Sequence, residues 1–243
     1  MTPLFLLVLF AVGVLSGSTA AVIGFGIGSL LTPLLTLRLS PELAVAVVAL
    51  PHLLATAMRL VRHAAWVDRA TFVRFGLLSA AGGLCGALLQ STLSGSALLA
   101  ALGALLIATA LASLTGNFGE HRPSPPVALT LGLLSGFFGG LVGNQGGLRA
   151  AGLLAFDLSP RAFLATSTAV ALLVDLARTP VYLLRAGPQL WPLATPIAVA
   201  AAGCLVGTIW GERLLLQMRP ATYRRLVGTG VGAIGVWLLA RTL

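Results

Sequence analysis

The sequence GFGIGSLLTPLL at residues 24–35 and its counterpart GNQGGLRAAGLL at residues 143–154 decide the fold. Both stretches lie inside long apolar segments. Glycines at this density lower helix stability and permit irregular backbone, which a bilayer tolerates only where protein or water covers it. The two stretches therefore predict a pair of broken membrane helices that line a cavity.

The chain around these stretches is apolar enough to lie almost entirely inside a bilayer. Of its 243 residues, 58% are hydrophobic and 9% are charged, and the mean hydropathy is +1.01. Soluble domains carry about 25% charged residues. Measured against the ~20 residues that cross a bilayer, the long apolar segments are 3–36, 42–61, 70–92, 95–115, 127–156, 160–184, 189–212 and 223–241. The predicted fold is an all-α integral membrane protein, a polytopic bundle of about eight hydrophobic helices.

The chain also repeats itself at the spacing of the two glycine stretches, 143 minus 24 or 119 residues. The matched pairs include Gly17 and Gly136, Gly24 and Gly143, Gly28 and Gly147, and Arg59 and Arg178. The polar stretch GNFGEHRPSPP between the copies suits an exposed linker. We therefore predict two tandem membrane repeats, residues 1–115 and 127–243, joined by a linker at 116–126, with each repeat starting in a glycine-interrupted helix.

The charged residues bear on partners and on orientation. The net charge of +9 comes from 15 basic residues, all arginine, against six acidic ones. Most arginines fall at segment ends, where we expect them to face lipid headgroups rather than nucleic acid: Arg59, Arg62, Arg69, Arg74, Arg213, Arg219, Arg224 and Arg225. Arginine-rich loops lie at non-equivalent places, 59–74 and 212–225, which favours an inverted topology of the repeats. The alternative is that each of the eight segments crosses the membrane once, so that the two repeats have the same orientation. The arginines are then nearly balanced between the two sides of the membrane, and this alternative stays open.

Duplicated halves with paired broken helices are typical of secondary transporters, whose substrate sites form where those helices meet. The predicted substrate-binding residues are Gly24, Gly26, Gly28, Asn144, Gln145, Gly146, Gly147, Arg149, Thr166 and Ser167. Arg149 beside two amides makes an oxyanion receptor, and the alternative is an arginine that extends to the membrane interface. Thr166 and Ser167 equally suit hydrogen bonding between helices.

Three further polar residues inside apolar segments are candidates for proton coupling: His52, Asp175 and Arg178. Ionisable side chains within a membrane are costly and point to function by default. An unperturbed histidine changes charge near physiological pH, and Asp175 and Arg178, three residues apart, share a helix face. The alternatives are a packed histidine and an ion pair that only neutralises itself.

The sequence contains no recognisable catalytic or metal-binding motif. It has no HExxH, nucleophile elbow or Walker loop, and Cys85 and Cys204 lack metal or redox spacing. We expect no enzyme activity, metal or cofactor, although an intramembrane enzyme stays an open alternative. The first apolar run has no basic region before it, so we expect a retained N-terminal helix.

Several motifs occur in a specific order along both copies. The glycine-rich motif at 24–35 is followed by Trp-Val-Asp at 66–68, Leu-Ser-Pro at 158–160, Ala-Thr-Ser at 165–167 and Trp191. In this order the chain resembles the TauE/SafE sulfite exporters, or four-toluene sulfonate uptake permeases, over nearly its whole length. The resemblance alone implies the substrate class and the location: a multi-pass permease of the bacterial inner membrane that moves sulfite, sulfonates or related anions with protons.

Other functions stay open beside this permease. A membrane scaffold or subunit without transport of its own would have no polar cavity between the breaks, and an anion channel would not show counter-transport. The expected partners are a small anion and the lipid bilayer. Glycine-rich helix faces also permit contact with a second copy of the chain, so a homo-oligomer is compatible with the sequence.

Overall fold

The computed structural model describes residues 1–115, 122–215 and 220–242, and all of their regular secondary structure is helical. Residues 116–121 of the predicted linker lie outside the described residues. Short 3₁₀ turns at Ala64–Trp66 and Trp191–Leu193 precede α4 and α9. The helices are α1 (Pro3–Ile23), α2 (Ile27–Leu35), α3 (Pro41–His63), α4 (Arg69–Gln90), α5 (Gly95–Thr115), α6 (Pro125–Val142), α7 (Gly146–Leu153), α8 (Pro160–Leu190), α9 (Ala194–Leu215) and α10 (Pro220–Ala240).

Both copies of the Leu-Ser-Pro motif start a long helix. The hydroxyls of Ser40 and Ser159 accept the backbone N–H groups of Leu43 and Ala162, at 3.4 and 3.3 Å. The proline that follows each serine takes the first helical position, where no N–H is needed. The motif therefore fixes where α3 and α8 begin.

The two glycine runs end one helix and allow another to start. Gly24 ends α1 at φ +83°, and Gly143 ends α6 at φ +75°. Both lie in the left-handed region, which costs other residues about 1–2 kcal/mol. After each glycine the chain restarts as a short helix, α2 or α7. The long apolar segments 3–36 and 127–156 are thus each divided into two helices.

Within the described residues, six helical stretches are long and apolar enough to cross a membrane, and Val227–Ala240 is a shorter apolar helix. The longest stretch, Pro160–Trp210, has 51 residues and includes α8 and most of α9. It is not one continuous α-helix, because the 3₁₀ turn at Trp191–Leu193 separates α8 from α9. The count of eight apolar segments, the inverted topology and the two-repeat division stay predictions.

Helices of the first half pack against helices of the second. α1 crosses α9, α4 crosses α6, α3 packs on α8, and α5 packs on α10. Glycines lie where these helices cross: a methyl group added at Gly17, Gly207, Gly82 or Gly136 would overlap a backbone carbonyl of the partner helix. Small residues at crossings are the usual way in which membrane helices approach closely. The core therefore belongs to both halves at once.

Candidate functional site

The two helix breaks meet inside the protein. A methyl group at Gly28, in the first turn of α2, would overlap the carbonyl of Gly143, and one at Gly146 would overlap the side chain of Phe25. The Ser29 hydroxyl donates to the side-chain oxygen of Asn144, at 3.4 Å. The ends of α1 and α6 and the starts of α2 and α7 thus form one buried region, which we call the junction.

Arg149 extends from α7 into the junction and is only 1% exposed. Its Nε donates to the Ser167 hydroxyl on α8, and its Nη2 donates to the carbonyl of Gly24, each at 3.0 Å. Nη1 has no protein partner, and no described carboxylate lies within 4 Å of the guanidinium. The side chain does not extend to the protein surface, as an arginine at the membrane interface would. A guanidinium stays charged, so its burial favours an anion beside it.

The two amides next to the second break also have unused hydrogen-bonding groups. Asn144 and Gln145 are buried, and Nδ2 of Asn144 and both side-chain ends of Gln145 have no partner. The backbone at Gln145 is held in place, because Ser135 donates to its carbonyl at 2.8 Å. Each unsatisfied buried polar group costs about 1–3 kcal/mol. Asn144 and Gln145 lie within five residues of Arg149 in the sequence. Their free groups are available to a polar ligand.

A second polar cluster joins α3, α8 and the end of α6. Nδ1 of His52 lies 2.5 Å from Oδ2 of Asp175, and Nε of Arg178 donates to Oδ1 of the same carboxylate at 3.0 Å. An ionised carboxylate only accepts hydrogen bonds, so this geometry assigns a proton to Nδ1 of His52. Arg178 also donates to the carbonyl of Gly139, and Tyr182 donates to the carbonyl of Gly140. The cluster therefore holds the helix that ends at the second break.

The position of Arg59 differs from the one that its place at a segment end predicts. Arg59 was expected to face lipid headgroups, but it is 3% exposed. Helix α3 continues to His63, so Arg59 lies one turn inside it. Its Nη2 donates to Thr56 at 3.2 Å, and the Thr56 hydroxyl lies 3.3 Å from Nδ1 of His52. The repeat match of Arg59 with the buried Arg178 was the signal that could have placed it in the interior.

The buried charges of the described residues do not balance. Three arginines are buried, Arg59, Arg149 and Arg178, but only one carboxylate, that of Asp175. With His52 neutral, the interior carries a surplus of two positive charges. No group of three or more His, Cys, Asp or Glu side chains in the described residues could hold a metal ion. A positive interior with low-dielectric walls attracts anions.

The structure brings together only part of the predicted binding set. The residues at the junction are Gly24, Gly28, Asn144, Gly146, Arg149 and Ser167. Gln145 packs beside Gly139, Gly26 against Thr19, and Gly147 against Thr109. Thr166 makes a different contact: its hydroxyl accepts a hydrogen bond from the backbone N–H of Asp68, just before α4, at 2.9 Å. Ser167, its neighbour on another face of α8, is the hydroxyl that contacts Arg149.

Comparison with protein families covers both breaks and both polar clusters. A family model described as sulfite exporter TauE/SafE matches residues 9–238. The chain belongs to the TauE/SafE family. TauE/SafE proteins are a membrane transporter family of sulfur anions, and the apolar helices agree with that assignment. No match was found among curated proteins or among solved structures.

Proposed function

We propose that this TauE/SafE chain is a secondary transporter that binds a small sulfur oxyanion, such as sulfite or a sulfonate, at the junction. It moves the anion across the bacterial inner membrane together with protons. One observation carries the proposal. Arg149 is fully buried where two discontinuous helices meet, with a free N–H group and without a described carboxylate.

The chemistry of the junction favours an oxyanion over other small solutes. A guanidinium presents several N–H donors in a plane, which matches two oxygens of an oxyanion. Helices α2 and α7 both begin at the junction, so the positive ends of their dipoles add to the charge of Arg149. The free amide nitrogen of Asn144 supplies a further donor at the junction, and the free amide of Gln145 follows it in the chain. In secondary transporters, the N-terminal ends of discontinuous helices often point at anionic groups of the substrate.

Binding at Arg149 also gives the anion a means to move helices. Arg149 links α7 to Ser167 on α8 and to the end of α1 through Gly24. An anion that accepts hydrogen bonds from Arg149 breaks the two bonds by which this side chain connects α7 with α8 and with the end of α1. A ligand shifts a conformational equilibrium only through differential contacts with the two states. Exchange of these hydrogen bonds supplies that difference for alternating access.

His52 and Asp175 are the proposed proton carriers. Protonation of His52 adds one positive charge to an interior that already attracts anions, so it strengthens anion binding. By linkage, a bound anion strengthens proton binding by the same factor. The anion and the proton therefore support each other's binding, and a pH gradient acts on anion flux.

Flux in proteoliposomes tests this function. Purified protein is reconstituted, and uptake of radiolabelled sulfite, sulfate, thiosulfate and taurine is measured with and without an imposed pH gradient. We expect saturable flux of sulfite or a sulfonate that responds to the gradient. Unlabelled substrate on the opposite side should accelerate it, because counter-transport distinguishes a carrier from a channel. Absence of flux for all four solutes, with folded protein in the vesicles, would contradict the proposal.

A further inference from the structure

A second arginine lines a cleft between α1, α3, α8 and α9. Arg59 and Thr208 form part of its buried wall, whereas Arg62 is exposed and His63 is partly buried. The cleft therefore opens toward the end of α3. Two arginines and a histidine around one cleft make it a place where an anion gathers. None of these four residues belongs to the junction.

The buried wall of the cleft carries unused hydrogen-bonding groups. Nε and Nη1 of Arg59 and the hydroxyl of Thr208 are buried without a partner. One N–H group of Arg59 donates to the Thr56 hydroxyl. No described carboxylate lies within 4 Å of the Arg59 guanidinium. Water could satisfy a free donor, but it would not neutralise the buried charge. An oxyanion would do both.

The repeat comparison makes the missing counter-ion specific to Arg59. Arg178, its match in the second copy, has Asp175 three residues before it and forms an ion pair with it. Arg59 has Thr56 at the equivalent place. The first copy thus keeps the buried arginine and lacks the carboxylate. That difference leaves the cleft positive.

Leu164 stands between the cleft and the junction. It lines the cleft, and its Cδ1 lies 3.7 Å from the position that a Cβ on Gly24 would take. The Ser167 hydroxyl, which accepts from Arg149, lies at the same distance from that position. The cleft has room for about one water molecule. An oxyanion is larger than one water molecule, so it enters only when the exposed Arg62, at the open end of the cleft, moves aside.

We propose that the cleft lined by Arg59 is a second binding site for the same small oxyanion. It lies on the route from the protein surface at Arg62 to Arg149 in the junction. Leu164 is the apolar barrier between the two sites. This inference rests on the proposed function and deepens it, because it names where the anion binds before it reaches the junction. Two anion sites in sequence allow an arriving anion to promote release of the one ahead.

Binding stoichiometry tests the second site. Equilibrium dialysis of radiolabelled sulfite against the purified protein should show two sites in the unchanged chain. Arg59→Gln and Arg149→Gln should each retain one, and the double variant should retain none. Arg74→Gln, which removes an exposed arginine that lines neither site, is the matched control and should retain two. Size-exclusion profiles and thermal unfolding identify variants that fold.

Each result separates the two proposals. Two sites in Arg59→Gln, or a single site in the unchanged protein that only Arg149→Gln removes, would overturn the second site and leave the transporter intact. No sulfite binding by the folded, unchanged protein would count against the proposed function itself. If Arg59→Gln fails to fold, Thr208→Val takes its place. It should weaken one of the two sites by about 3- to 10-fold, and two unchanged affinities would overturn the inference.

Discussion

The first and second breaks share a backbone turn and differ in their side chains. Gly24 has φ +83° and ψ 0°, and Gly143 has φ +75° and ψ 10°. The residue that follows is Phe25 in one break and Asn144 in the other, and Leu30 of α2 stands where α7 has Arg149. The repeated glycines build the junction, whereas polar residues present only once provide its chemistry.

Helices α3 and α8 show the same contrast. Arg59 and Arg178 are matched in the two copies, but only Arg178 has a carboxylate, that of Asp175, one turn before it. The ion pair in α8 ties together α3, α6 and α8, whereas Arg59 lines a cleft. Helix α8 therefore pairs its buried arginine with a carboxylate, whereas the buried arginine of α3 has no described carboxylate within 4 Å.

The largest expected effect is loss of that single buried carboxylate. Asp175→Asn leaves Arg178 buried without a counter-charge and should lower the free energy of unfolding by about 3–5 kcal/mol. Thr56→Val, at the matched place in the first copy, should cost about 1 kcal/mol, because it removes a neutral hydrogen-bonding group. Yield of monodisperse protein and thermal unfolding in detergent measure both. Equal losses would show that the two helices do not differ in this way.

The next effect separates the two breaks by function. Arg149→Gln should reduce sulfite flux by about 100-fold, because a charge-assisted contact worth about 2–3 kcal/mol is lost. Leu30→Gln places the same side chain at the matched position of the first break and should change flux only a few-fold. Proteoliposome flux per folded molecule is the measurement. Similar flux in the two variants would remove Arg149 from the site.

A smaller effect tests the free amide of the second break. Gln145→Met should lower flux by about 10-fold and leave stability unchanged or higher, because a buried polar group without a partner is removed. Gln90→Met is the matched control, since Gln90 is also buried but donates to the carbonyl of Leu141 at 3.0 Å. That variant should lose about 1–2 kcal/mol of stability and keep its flux. Reversed results would mean that Gln145 serves only the fold.

The smallest effect concerns the start of α4. Both α4 and α9 follow a 3₁₀ turn, but the acidic residue Asp68 caps α4, whereas α9 begins at Ala194 directly after its turn. Asp68 accepts the backbone N–H of Thr71 at 2.8 Å, and this bond lowers the pKa of its carboxyl. Asp68→Ala should cost about 1 kcal/mol at pH 7. The contribution is present above the unfolded pKa of about 4 and is lost as the pH falls through the lower, folded value. Asp68→Asn keeps a neutral cap, so its stability should lack this acid-dependent step in pH-dependent unfolding experiments.

The helix breaks could be predicted because glycine acts locally. Positions such as Gly24 and Gly143 need a left-handed backbone, and that need is visible in the residue type. The pairing of Asp175 with Arg178 was also readable as one alternative, since residues three apart share a helix face. Composition also predicted the membrane class, because a soluble fold of this size could not bury so much apolar surface.

The burial of Arg59 and the role of Thr166 could not be predicted in the same way. Whether an arginine near the end of an apolar run reaches water depends on how far the helix continues and on what packs against it. Thr166 and Ser167 are adjacent, yet they point to different neighbours, Asp68 and Arg149. Such assignments depend on packing between distant helices, which a single sequence does not encode locally.

The packing of α1 on α9 has a consequence for biogenesis. About 170 residues separate the end of α1 at Ile23 from the start of α9 at Ala194. At synthesis rates of about 5–20 residues per second, α1 leaves the ribosome roughly 10–30 s before its partner has begun to form. During that interval its glycine face, including Gly17, contacts lipid or the insertion machinery. The final shape of the first half is therefore set late, when the second half reaches the membrane.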